Sequence, residues 1–143
     1  MNSHANTLIA TLLSALALTA QLAQAADGPG AQTVRPAGYQ PASGDAKLGK
    51  KLFNATRLST NGNACATCHA KHAAFSASFA RPYPHTVAMA RDQLGRDPIH
   101  LDEMIQGCMV MPMAAPPLAW DSKELAALTA YVQTLQKTFK PSR

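Results

Sequence analysis

The sequence is poor in aromatic residues, in charge and in cysteine, and it has no long apolar run. Aromatic residues make up 6% of it, with one Trp, three Tyr and four Phe. That is little ring volume for a core, and it points to an interior filled partly by something other than side chains. Charged residues make up only 15%, against 47% apolar, which excludes a disordered chain. Three cysteines exclude a disulfide framework and leave an odd thiol to explain. The longest apolar stretch falls short of the roughly 20 residues that cross a bilayer. At 143 residues the chain holds one domain at most.

What is present begins with an address. Leu8 to Ala20 (LIATLLSALALTA) is a short apolar run, followed by the small-x-small site Ala23-Gln24-Ala25. This layout is that of a secretory signal peptide over residues 1–25, and it places the mature protein in a bacterial periplasm. No membrane span is expected after cleavage. The net charge of +5 is carried entirely by the remaining chain.

Residues 26–43 contain Gly28, Pro29, Gly30, Pro36, Gly38 and Pro41 with little periodicity, and read as a flexible or extended leader. From residue 44 to 140 the pattern is that of one helical domain. Asp45 can cap a helix whose Leu48, Leu52 and Phe53 share a face. Gly49 sits inside it at a cost of about 1 kcal/mol against Ala, which suits a close helix crossing. Residues 73–96 read mainly as loop. Asp97-Pro98 reads as the start of a second helix with the apolar face Leu101, Met104, Ile105, Cys108. Met109 to Ala119 holds three prolines and three methionines and cannot be regular helix. Asp121-Ser122-Lys123-Glu124 opens a third helix with the stripe Leu125, Leu128, Val132, Leu135, Phe139 and with Tyr131 beside it. The expectation is an all-α fold: three main helices with long loops.

Cys65-Ala66-Thr67-Cys68-His69 carries the chemistry. Two thiols one helical turn apart can each add to one vinyl group on a haem edge, and the next residue can then offer its imidazole to the iron. A thioredoxin-like site has no need of the His and expects a preceding strand. A zinc site needs a second Cys or His pair at matching spacing. The motif therefore points to one covalent haem c on Cys65 and Cys68, with His69 as proximal ligand. The porphyrin then accounts for the missing core volume.

Together these features resemble the class I cytochrome c fold, whose terminal helices cross at a Gly and aromatic contact, here Gly49 and Phe53 against Tyr131. The resemblance covers about residues 44–139. It implies a single-electron carrier whose sixth ligand comes from the loop ahead of the last helix. Met109, Met111 and Met113 lie there, with Cys108 just before them. Met109 suits soft packing, and His85 and His100 suit ordinary surface or hydrogen-bonded roles.

The stretch Leu101 to Val132 more specifically resembles the C-terminal haem domain of SoxA, the dihaem cytochrome subunit of the bacterial sulfur-oxidising complex. The shared features are LDEMIQ, then Cys108, Met113 five residues later, Trp120 seven after that, and Asp121-Ser122 with EL-ALTAYV. Tyr83-Pro84-His85 is similar as well. The resemblance implies Cys108 as distal ligand, often a persulfide in that family. Met104 and Met109 stand where that family carries arginines that favour anionic sulfur compounds. The distal ligand therefore stays open between Cys108 and Met113, with Met111 third. Two functions follow: an electron carrier, or a haem enzyme or enzyme subunit acting on inorganic sulfur such as thiosulfate. Expected partners are redox proteins, acidic ones or sulfur-oxidation components, met by a basic rim of Lys47, Lys50, Lys51, Arg57 and Lys71. Nucleic-acid binding has no support in any motif.

Overall fold

The computed structural model describes residues 28–141, so the expected signal peptide lies outside the described residues. Six α-helices occur there: α1 (Pro29–Gln32), α2 (Ala46–Phe53), α3 (Cys65–His69), α4 (Ala88–Leu94), α5 (Leu101–Val110) and α6 (Lys123–Thr138). Short 3-10 turns lie at Thr56–Leu58, Ala70–His72 and Ala77–Ala80. Among the described residues the only extended pairing is an isolated antiparallel bridge between His85 and Ile99. The fold is all-α, and its three longest helices are the three read from periodicity.

The crossing of α2 and α6 organises the core. The Asp45 side chain accepts from the Lys47 N–H at 2.8 Å and starts α2. Leu52 and Phe53 are then buried against Leu125, Leu128 and Val132 of α6. A Cβ placed on Gly49 would sit 2.0 Å from the Ala127 carbonyl oxygen and 2.7 Å from Tyr131 Cβ. Only hydrogen fits, so glycine lets the two backbones touch. Phe53 meets Tyr131 edge-on at 5.2 Å between ring centroids. Ser122, one residue after Asp121, is the cap that starts α6; its Oγ accepts from the Leu125 N–H at 3.2 Å.

One local expectation needs correction and another an addition. The helix expected from Pro98 starts at Leu101 instead, with His100 as N-cap. The Asp97 carboxylate accepts from the Thr86 hydroxyl at 2.7 Å, and Ile99 is engaged in the bridge to His85, so residues 97–99 stay outside the helix. Glu103 closes the real cap by accepting from the His100 N–H at 3.0 Å. Residues 73–96 are mainly loop and turn, as expected, but not wholly. They contain α4, which Gly95 ends in the left-handed conformation at φ +64°.

Residues 28–43 pack on α4 and α5. Thr33 is fully buried, and Gly30 lies against the Leu94 backbone. The Arg35 guanidinium donates to both carboxylate oxygens of Asp102 at 2.9 Å each, and the Arg35 N–H donates to Glu103 at 3.2 Å. The Tyr39 ring lies 5.5 Å from that guanidinium and meets Trp120 edge-on at 5.0 Å. Sequence periodicity did not reveal this because the segment is held by single anchors rather than by a repeating face.

Candidate haem site

An apolar cavity of about 370 Å³ opens between α2, α3, α5 and α6. Phe53 and Leu128 form its base, Leu101, Met104, Ile105 and Cys108 of α5 line one wall, and Cys65, Cys68 and His69 stand at its edge. The apolar face expected of α5 is thus the face that meets the cavity. Among the described residues no Lys or Arg lines it.

The motif is presented on a single helical turn. The Thr67 hydroxyl accepts from the Ala64 N–H at 2.9 Å and fixes the start of α3. Cys65 is half-buried and Cys68 exposed. Burial pushes the Cys65 thiol above its ordinary value. His69 Nδ1 lies 3.1 Å from the Ala73 carbonyl oxygen. A carbonyl can only accept, so Nδ1 carries the proton and Nε2 keeps its lone pair free for a metal. Burial holds this imidazole below its ordinary value, and the bond to Ala73 opposes that shift. The Phe75 ring lies parallel to His69 at 4.2 Å and to Phe79 at 3.9 Å.

The sulfur-bearing loop is tied down from two sides. Asn61 and Asn63 both donate to the Pro112 carbonyl, at 2.9 and 3.1 Å, and Thr60 bonds the Met113 and Ala114 carbonyls. Buried Gln106 donates to the Leu118 carbonyl at 2.7 Å and accepts from the Leu118 N–H at 2.8 Å. Held this way, Met113 is buried with its sulfur 4.0 Å from Cys65 Sγ. Cys108 opens onto the same cavity, and burial pushes its thiol up to about 12.

Cys65, Cys68, His69, Cys108 and Met113 are therefore gathered around one cavity. Met111 is not with them. It packs beside Ala90, Leu94 and Ile99, while Met109 fills a small cluster with Met113 and Ala115. His85 and His100 do not line the cavity either; His85 Nδ1 is 3.0 Å from the Pro82 carbonyl, and His100 caps α5. Of the basic rim, Lys47, Lys50, Lys51, Arg57 and Lys71 are all exposed, and none lines the cavity. Sequence reasoning missed Phe75, Phe79 and Met89 as lining residues. The available signal was the four-residue spacing of Phe75 with Phe79 and of Ala90 with Leu94, closed by Gly95.

A family model for the SoxA/TsdA cytochrome c domain matches residues 48–139. The chain belongs to that family. No curated protein and no solved structure matches the chain. It is thus a c-type cytochrome, and such domains carry covalently bound haem c and exchange electrons with redox proteins. The residues present fit that group: an apolar cavity with two thiols and a free imidazole nitrogen at its edge suits a flat, largely apolar macrocycle. No described helix is long and apolar enough to cross a membrane.

Proposed function

We propose that this protein is a periplasmic monohaem cytochrome that carries single electrons between redox proteins. Cys65 and Cys68 would hold the haem by thioether bonds, His69 would ligate its iron, and Cys108 or Met113 would supply the second protein ligand. The observation that carries the reading is the apolar cavity on whose edge the whole Cys-x-x-Cys-His turn stands. The bound haem supplies a one-electron exchange between ferric and ferrous iron. The chain does the rest. Ala73 holds His69 through Nδ1, which leaves Nε2 free to ligate the iron. Phe53, Leu101, Ile105 and Leu128 keep water from the site, which lowers the solvent rearrangement accompanying each electron. The clamps at Pro112 and Leu118 position the sulfur loop in advance.

The choice of sulfur sets the potential. A thiolate favours ferric iron and lowers it; a thioether favours ferrous iron and raises it. Cys108 on the cavity wall and the family match support a second reading, a thiol-ligated haem acting in inorganic sulfur oxidation. Among the described residues no Lys or Arg lines the cavity, which favours the carrier, because an anionic sulfur substrate finds no cationic side chain among them. Arg35 and Arg96 are turned to Asp102 and Glu103 instead. The test is an absorption spectrum with acid-acetone extraction of protein matured in a periplasm. A c-type spectrum with unextractable haem is expected, and haem that extracts freely sinks the thioether assignment. Turnover of thiosulfate by the isolated protein would replace the carrier with the enzyme.

A further inference from the structure

A second concavity, of about 560 Å³, lies on the surface beside the haem cavity. Lys71, His72, Phe139 and Lys140 line it. Ala74 and Phe75 line both hollows, so one layer of side chains separates them. We propose that this groove is the docking site for an acidic one-electron carrier protein, a proposal that rests on the carrier reading above and locates its partner.

Three observations converge on it. The groove carries two exposed lysines and, among the described residues, no carboxylate lines it. Elsewhere Arg35 and Arg96 pair with Asp102 and Glu103, and Arg91 with Asp92. The backbone is also held in an uncommon form here. Lys71, His72 and Ala74 have φ of +53°, +66° and +52°, a cluster of left-handed non-glycine residues in the groove's own lining. Finally, aromatic rings run from the groove floor inward. His72 meets Phe139 at 5.7 Å, Phe139 meets Phe75 at 6.1 Å, and Phe75 stacks on His69 at 4.2 Å. A partner seated on Phe139 is thus two rings from the imidazole that binds iron. In the transfer the partner would lose one electron to the ferric haem that His69 would ligate; no bond forms or breaks. The reverse direction serves an acceptor.

An acidic flavodoxin, in its reduced form for the kinetic arm, serves as the probe against the ferrous and ferric holoprotein. In an NMR titration at low salt, shifts are expected at Lys71, His72, Phe139 and Lys140, fading as salt screens the charges. Lys71→Glu with Lys140→Glu should weaken Kd and slow second-order reduction about tenfold or more. Lys47→Glu with Lys50→Glu should change either less than about threefold, with the haem spectrum and potential unaltered in both variants. Shifts that gather on α2, an unchanged Kd in the groove variant, or no binding at low salt would each overturn the proposal. Binding in the groove without electron transfer would uphold the docking site and defeat the carrier reading.

Discussion

Glu103 is 1% exposed and carries three hydrogen bonds, from the His100 N–H, the Arg35 N–H and the Arg96 guanidinium. Burial alone raises such a carboxyl, but these donors and the Arg96 charge outweigh it and hold Glu103 below its usual 4.5. A carboxylate depressed in the folded state stabilises above the unfolded value and loses that contribution as pH falls through the folded one. Glu103→Gln should therefore lower urea stability at pH 7, and the gap to the parent should close as acid is approached. A gap of equal size at pH 7 and pH 3 would contradict this. Glu103→Ala, which strands Arg96 partly buried, should cost about 3–5 kcal/mol. The sulfur residues divide as cleanly. Met111→Ala should leave the haem spectrum unchanged, since Met111 packs on Leu94 and Ile99. If Cys108→Ala raises the potential sharply, thiolate is the ligand; if Met113→Ala alone makes ferric haem high-spin, the thioether is. The motif Cys65 to His69 stood out by its spacing, and the fold sets Cys65, Cys68 and His69 at the cavity. The choice between Cys108 and Met113 was not, because both fall within a few residues of one turn.

At the scale of elements, the α2–α6 crossing rests on one missing Cβ. Gly49→Ala places carbon against the Ala127 carbonyl and should cost about 3 kcal/mol, read as a lower urea midpoint with unchanged slope. A neutral substitution would mean that the helices separate at no cost. This contact could be anticipated because a glycine inside an amphipathic helix has few other reasons to be there. Helix α4 could not, since it has seven residues and too short an apolar pattern to stand out from loop. The start of α5 was misplaced for a related reason. Asp97-Pro98 has the composition of a cap, and a hydrogen bond from Thr86, eleven residues earlier, takes that cap away.

Over the whole molecule, residues 28–43 act as a strap outside the family-matched segment. They cover the buried acidic side of α5, whose opposite face lines the haem cavity. Deleting residues 28–43 leaves Asp102 and Glu103 without Arg35, so thermal unfolding should fall by on the order of 10 °C. An unchanged Tm would show that the strap adds no stability.

The amino-acid sequence by itself determined the helical class, the Cys-x-x-Cys-His motif, the Gly49 crossing and the set of sulfur residues proposed as ligands. Each of these is encoded locally, by a spacing of two to five residues or by a periodic face. Tertiary structure alone decided that Met111 turns away while Met113 and Cys108 share the cavity, that Phe75 stacks on His69, and that Arg35 reaches Asp102 across 67 positions. Those outcomes depend on which distant backbone groups, such as Pro112 against Asn61 and Leu118 against Gln106, find each other when the core closes. No local pattern records such meetings, because hydrogen-bond partners far apart in the chain leave no periodicity behind.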